Sequence, residues 1–252
     1  MKHPHTLPMF VLALVLAAGC GATADTGATT DEVIHGVPDH GRHPAVVALV
    51  LNGEALCTGT LVRPDEVLTA RHCVSFVDEH VDCTNPAPQI LGDRPPSSIV
   101  VVTGDDVRTG HAVARGLRLR TLPGTRLCGH DVAVLVLDRP VTGIDPVPVA
   151  PHPVARAGGT VSLVGFGRRG DGATAGVGVR YFRERVSVVG ATSAEFETGE
   201  GSCNGDSGGP ALDPSTGAVV GVVSRGGSRC VGGSGGSVWS HAALAAPLLT
   251  ER

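Results

Sequence analysis

A histidine at position 72, an aspartate at 131 and a serine at 207 could together carry out acyl transfer. A serine hydroxyl is a poor nucleophile unless a base takes its proton during attack. Imidazole titrates near neutral pH and can be that base. The ring needs one tautomer and one orientation, which a buried carboxylate on its other nitrogen supplies. Each of the three has a distinctive local wording. His72 lies in "LTARHC" (68–73), Asp131 opens the apolar run "HDVAVLVL" (130–137), and Ser207 lies in "GDSGGP" (205–210), within the glycine-rich "GSCNGDSGGP". Singly, each has a plainer reading. Most of the 11 histidines read as solvent-facing loop residues, an aspartate before a strand as an edge charge, and a serine among glycines as a turn. Only the conjunction points to catalysis.

The order His, Asp, Ser and the wording of the motifs resemble the chymotrypsin/trypsin family of serine endopeptidases, from Val33 to about Ala245. The resemblance implies an all-β fold: two six-stranded antiparallel β-barrels of the chymotrypsin type, with the site in the cleft between them. It implies hydrolysis of peptide bonds in protein or peptide substrates, with no cofactor and no metal. The backbone N–H groups of Gly205 and Ser207 would form the oxyanion hole, in a loop that glycine lets adopt conformations other residues resist. Ser224, in "GVVSRGG", matches the serine that bonds the catalytic aspartate. Gly201, six residues before Ser207, would floor the specificity pocket with Ser202, and Gly226 and Ser237 would line its walls. No carboxylate stands at Gly201 to hold a substrate cation, so an apolar side chain before the scissile bond is expected. Arg225 and Arg229 leave an acidic preference as the alternative, although loop arginines are usually solvated. Cys57–Cys73 resembles the family bridge beside the histidine, and Cys203–Cys230 the bridge between the pocket walls; Cys83 and Cys128 remain for a third. In this family a freed N-terminal ammonium turns inward to pair with the aspartate before the nucleophile, here Asp206. "VIHG" (33–36) is the best match to that N-terminus, so Val33 is the expected new end. The residue before it departs from the pattern: Glu32 stands where a trypsin-like activator needs arginine or lysine.

The elements that must position these residues read as strands. The chain has 252 residues with Gly 36, Pro 18 and only 3% aromatics, and its 42% apolar content suffices for a core. Short apolar runs recur between turn signals: "AVVALVL", "CTGTLV", "VLTA", "SIVVVTG", "DVAVLVL", "TVSLVGFG", "YFRERVSVVG" and "AVVGVVS". The span from Val74 to Arg126 reads as long surface loops around one or two strands. Only "HAALAAPLLTER" looks helical, a short C-terminal helix limited by Pro247. A net charge of −4 without a basic run excludes nucleic-acid binding through a phosphate-tracking patch. No cluster has metal-ligand spacing, and a monomer is expected. "GDSGG" also fits the G-x-S-x-G elbow of lipases and esterases. That fold needs the histidine last, His241 is the only one after Ser207, and strand–helix alternation is missing, so the reading is discarded. A non-catalytic, protease-like surface binding module is the remaining alternative.

The first residues read as a targeting segment. Lys2 precedes "MFVLALVLAA" (9–18), an apolar run too short to span a bilayer. The expected division is signal peptide 1–19, spacer or propeptide 20–32, and protease domain 33–252. "LAAGC" (16–20) resembles a bacterial lipoprotein signal in which Cys20 is acylated, whereas "ATA" (22–24) offers an ordinary secretory cleavage site. Seven cysteines are an odd number for an exported protein, and setting Cys20 aside leaves six for three disulfides. That count favours a lipidated Cys20 anchored to an outer or cell-surface membrane over simple secretion.

Overall fold

The computed structural model describes Met1 and residues 35–53, 55–78, 81–169, 177–199, 201–226, 230 and 236–250. Runs rich in valine and leucine fold as extended chain, because branched side chains are restricted at χ1 and pack well on a pleated surface. In chain order the strands are β1 (Val37–Pro38), β2 (Val46–Leu51), β3 (Ala55–Arg63), β4 (Glu66–Thr69), β5 (Ser75–Val77), β6 (Ile90–Asp93), β7 (Ile99–Thr103), β8 (His111–Thr121) and β9 (Ala133–Leu137). After them come β10 (Thr160–Gly165), β11 (Tyr181–Ala191), β12 (Glu195–Thr198), β13 (Pro210–Leu212), β14 (Val219–Arg225) and β15 (Ser237–His241).

The first barrel closes in the order β2-β3-β4-β9-β8-β7. The second runs β11-β10-β13-β14-β15-β12 and closes through β11–β12, with β1 added antiparallel on β11. Closure leaves no long unpaired edge. Leu49, Leu61, Leu68, Ile99 and Leu135 fill the first core; Leu163, Tyr181, Phe196 and Trp239 fill the second. The Trp239 indole N–H finds a buried acceptor in Thr198 Oγ1 at 3.0 Å. No helix among the described residues is long and apolar enough to cross a membrane.

Two expectations need correction. The span 74–126 carries β5 to β8 rather than one or two strands, and β7 and β8 are walls of the first barrel. The cause is visible in "HAVARGLRLRT" of β8: its buried positions include small residues and Arg120. The Arg120 guanidinium is neutralised inside by Glu66 at 2.7 Å and also donates to the Leu248 carbonyl at 3.1 Å. The helix α1 (Ala246–Thr250) follows a 3₁₀ turn at Ala242–Ala245. Pro247 is its second residue, where the missing N–H has no intrahelical partner to lose, so proline starts this helix rather than limiting it.

The chain between β1 and β2 is held by a buried charge cluster. Asp39 is fully buried and accepts from Arg180 Nε and the His43 N–H, both at 2.9 Å, and from the His43 ring. Arg180 also donates to Val46 O at 2.9 Å, Gly104 O at 3.3 Å and the Asp105 carboxylate, so one guanidinium ties the segment between β1 and β2 to both barrels. Burial works to raise the Asp39 pKa, but the His43 hydrogen bonds and the Arg180 charge outweigh it and hold it at about 2. Its stabilising contribution is therefore complete above pH 3.8 and fades as pH falls through about 2. Arg180→Met removes that carboxylate's guanidinium partner and leaves it only the His43 donors. Urea unfolding at neutral pH is expected to show a loss of about 3–5 kcal/mol. A loss under about 1 kcal/mol would place the pair with solvent-screened surface bridges.

Candidate active site

Strand adjacency brings the distant motifs together. β4 ends at Thr69 and leads into a tight turn at Arg71–Cys73, which the Cys57–Cys73 disulfide staples to β3. Asp131 stands just ahead of β9, whose first residue Ala133 pairs with Thr69. His72 and Asp131 thus leave neighbouring strands of the first barrel. Ser207 precedes β13 and Ser224 lies on β14, paired neighbours in the second barrel.

The Asp131 side chain is fully buried. Its Oδ1 accepts the His72 backbone N–H at 2.9 Å, and its Oδ2 faces His72 Nδ1 at 2.8 Å. The Ser224 hydroxyl donates to the same Oδ2 at 2.6 Å. A carboxylate acceptor at Nδ1 places the ring proton there and leaves Nε2 free to accept one. Nε2 lies 3.8 Å from Cys73 Sγ, and that sulfur lies 3.5 Å from the Ser207 carbonyl oxygen, so histidine and serine loop flank one disulfide. Desolvation works to lower the His72 pKa, yet the Asp131 charge and hydrogen bond overcome it, and the net shift is upward from 6.5. Cys57, His72 and Cys73 bring three potential ligand atoms within 4.8 Å, but both sulfurs are spent in the bridge and offer no thiolate.

The serine loop has its peptide planes set one by one. Gly205 and Gly208 sit at φ +103° and +80°, where side-chain residues are strained. The Asn204 carbonyl accepts from Arg168 N at 2.9 Å and the Asp206 carbonyl from Gly209 N at 2.8 Å. In a trans peptide the N–H points opposite to the C=O. These anchors therefore turn the Gly205 and Ser207 N–H groups the other way. The Ser207 carbonyl accepts the Thr58 N–H at 2.8 Å, which docks the loop on the first barrel.

Gly201, the expected pocket floor, is buried at φ +151°, and a Cβ there would run into Leu163. An aspartate cannot replace it without displacing the core. Ser202, expected beside it, meets Ser237 through its N–H at 3.1 Å and its hydroxyl at 2.7 Å, a polar but uncharged pair. Gly226 is exposed with open space beside it. The Cys203–Cys230 and Cys83–Cys128 disulfides are formed. Arg229 lies outside the described residues. Arg225 is not a solvated loop arginine: it makes a bidentate pair with Glu195 at 2.6 and 2.9 Å, and Glu195 also accepts the N–H of Gly129, two residues before Asp131. Sequence reasoning missed that pair, because its partners are 30 residues apart with no shared motif. It also missed Thr58, whose only signal was its place directly after Cys57.

The chain belongs to the trypsin-like serine protease family; the trypsin family model matches residues 34–243. Serine protease SP24D of Anopheles gambiae is 33% identical over 194 residues, covering 70% of this chain and 65% of that protein, so the chain spans just under two thirds of that relative. Neuropsin, a serine protease of mouse brain, superposes with a TM-score of 0.64 at 19% identity over 84% of this chain and 95% of its own. An inactivated protease paralogue of the scabies mite does so equally, 0.64 at 19% over 85% and 96%. The same fold is therefore found in a protease and in an inactivated paralogue, and the fold alone does not decide activity.

Asp206 carries an unresolved charge. It is 2% exposed, with Oδ1 accepting from Gly167 N at 2.7 Å and Oδ2 from Cys203 N at 2.9 Å. Gly165 and Gly167 make room for it, since a Cβ on either would strike the carboxylate. No lysine, arginine or histidine among the described residues pairs with it; Glu32, Val33 and Cys20 lie outside them. Desolvation pushes its pKa up to about 7 against the two N–H donors. Between pH 3.8 and about 7 the unfolded chain then binds fewer protons than the folded one, so stability falls as pH rises. Urea unfolding of the uncleaved chain is expected to lose about 1.4 kcal/mol per pH unit across that window relative to Asp206→Asn. Parallel pH profiles for the two would contradict this.

Proposed function

We propose that the protein is an exported serine endopeptidase that cleaves peptide bonds through Ser207, His72 and Asp131. The observation that carries this reading is the Asp131 carboxylate, buried and shared between the His72 ring and Ser224. Ser207 Oγ attacks the substrate carbonyl carbon as His72 Nε2 takes its proton. The oxyanion is received by the Gly205 and Ser207 N–H groups. Collapse expels the amine, which takes the proton from His72, and leaves an acyl-enzyme that water releases by the same steps. The residue preferred before the scissile bond is neutral and apolar: a substrate lysine or arginine would meet the Ser202–Ser237 hydroxyls with no carboxylate to pair it.

Activation fits the state of Asp206. A cut between Glu32 and Val33 frees an ammonium, and a cation beside a buried carboxylate restores its charge. If Cys20 is lipidated, the same cut detaches the domain 33–252 from its anchor, so a membrane-held precursor yields a released enzyme. The fold shared with an inactivated mite paralogue keeps a second reading in play, a protease-like binding module. Retention of the serine, the histidine and the aspartate weighs against it.

Labelling by a serine-directed phosphonate separates the readings. Wild type cut at Val33 is expected to label, the uncut form to label weakly, and Ser207→Ala not at all. No labelling of either wild-type form supports the binding module, and labelling of the uncut form alone overturns the activation scheme. The value of kcat/KM is expected to rise with pH as His72 loses its proton, with a midpoint above 6.5 because Asp131 favours the imidazolium. A rate independent of pH across the imidazole range would count against His72 as the base.

A further inference from the structure

Thr58 binds the serine loop from the opposite barrel. It is fully buried on β3, directly after the cysteine bridged to Cys73. All its polar atoms are engaged. The N–H donates to Ser207 O at 2.8 Å, and the carbonyl accepts the Thr69 hydroxyl at 2.9 Å. The hydroxyl donates to Gly205 O at 2.8 Å and accepts the Phe166 N–H at 3.2 Å. Phe166 lies between the two glycines that cradle Asp206, and Gly205 packs so closely on Gly167 that a Cβ would stand 2.9 Å from its Cα. One hydroxyl thus joins the serine loop to the Asp206 cradle.

Its target is the middle of three consecutive peptides. The outer two carry the Gly205 and Ser207 N–H groups and are anchored by Arg168 N and Gly209 N. The middle one, Gly205–Asp206, has its carbonyl held by Thr58, while its N–H reaches back to Cys203 O at 2.9 Å. Glycine at position 205 imposes little torsional preference of its own. If the middle peptide rotates, the relative direction of the two outer N–H groups changes with it.

We propose that Thr58 is a positioning residue for the oxyanion hole, its hydroxyl locking the Gly205–Asp206 peptide so that the Gly205 and Ser207 N–H groups converge. The proposal rests on the protease reading. The lock comes from the first barrel and involves no free N-terminus, so it acts beside the Asp206 ammonium pair rather than through it. Hydrogen-bond donors preset in this way stabilise charge that develops only in the transition state, so their loss appears in kcat.

T58S and T58A test it, because both lack the same methyl and differ only in the hydroxyl. Each is compared with wild type, all cut at Val33, for peptide hydrolysis, for binding of a peptide boronate with a neutral residue beside boron, and for thermal unfolding. T58S is expected within about threefold of wild-type kcat. T58A is expected to fall about 10- to 100-fold below T58S in kcat with KM little changed, and to bind the boronate more weakly by a similar factor. Equal kcat for folded T58S and T58A, or a loss confined to KM, overturns the proposal. Should T58A not fold, a T58S kcat far below wild type does the same. A wild type that neither hydrolyses peptides nor binds the boronate refutes the protease reading instead.

Discussion

The Asp131 carboxylate is fully buried, and it can stay charged there only while donors converge on it. Two come from His72, through its main chain and its ring, and the other is the Ser224 hydroxyl. His72 belongs to the first barrel and Ser224 to the second. Satisfying one carboxylate therefore fixes how the barrels meet, and the same geometry selects the histidine tautomer that leaves Nε2 free to accept a proton. The Cys57–Cys73 bridge and the pairing of β4 with β9 supply the donors from one side; the pairing of β13 with β14 supplies Ser224 beside the serine loop.

Asp206 is the counterpart that lacks this satisfaction. Both carboxylates are buried, but Asp131 faces a group that can carry charge, whereas Asp206 has only two main-chain N–H donors among the described residues. A site with one satisfied and one unsatisfied carboxylate is poised for a cation from elsewhere. In the proposed activation, that asymmetry is what a new N-terminus would resolve. Thr58 adds a hold on the same loop that draws on neutral hydrogen bonds alone.

The motifs around His72, Asp131 and Ser207 are readable in the sequence because their chemistry needs those residues in those contexts, glycines at 205 and 208 included. The two-barrel fold came through the resemblance these motifs carry; alternation alone reached only an all-β chain. What was illegible has one common cause. Buried charges such as Arg120, Arg180 and Arg225 look like solvent residues until a distant carboxylate is placed against them: Glu66, Asp39 and Glu195, separated by 54, 141 and 30 residues. That is why β8 reads as loop in the sequence and why Arg225 reads as a solvated arginine. Thr58 escaped for a similar reason, since a threonine after a cysteine is unremarkable until Gly205 arrives from 147 residues away.

The claim on which the rest stands is that Asp131 holds the His72 ring with its proton on Nδ1. Proton NMR of the folded protein examines that proton directly. The account predicts a far-downfield Nδ1–H resonance that titrates with a midpoint above 6.5 and vanishes or moves sharply in Asp131→Ala. A missing resonance at every pH, or one indifferent to Asp131, would contradict it.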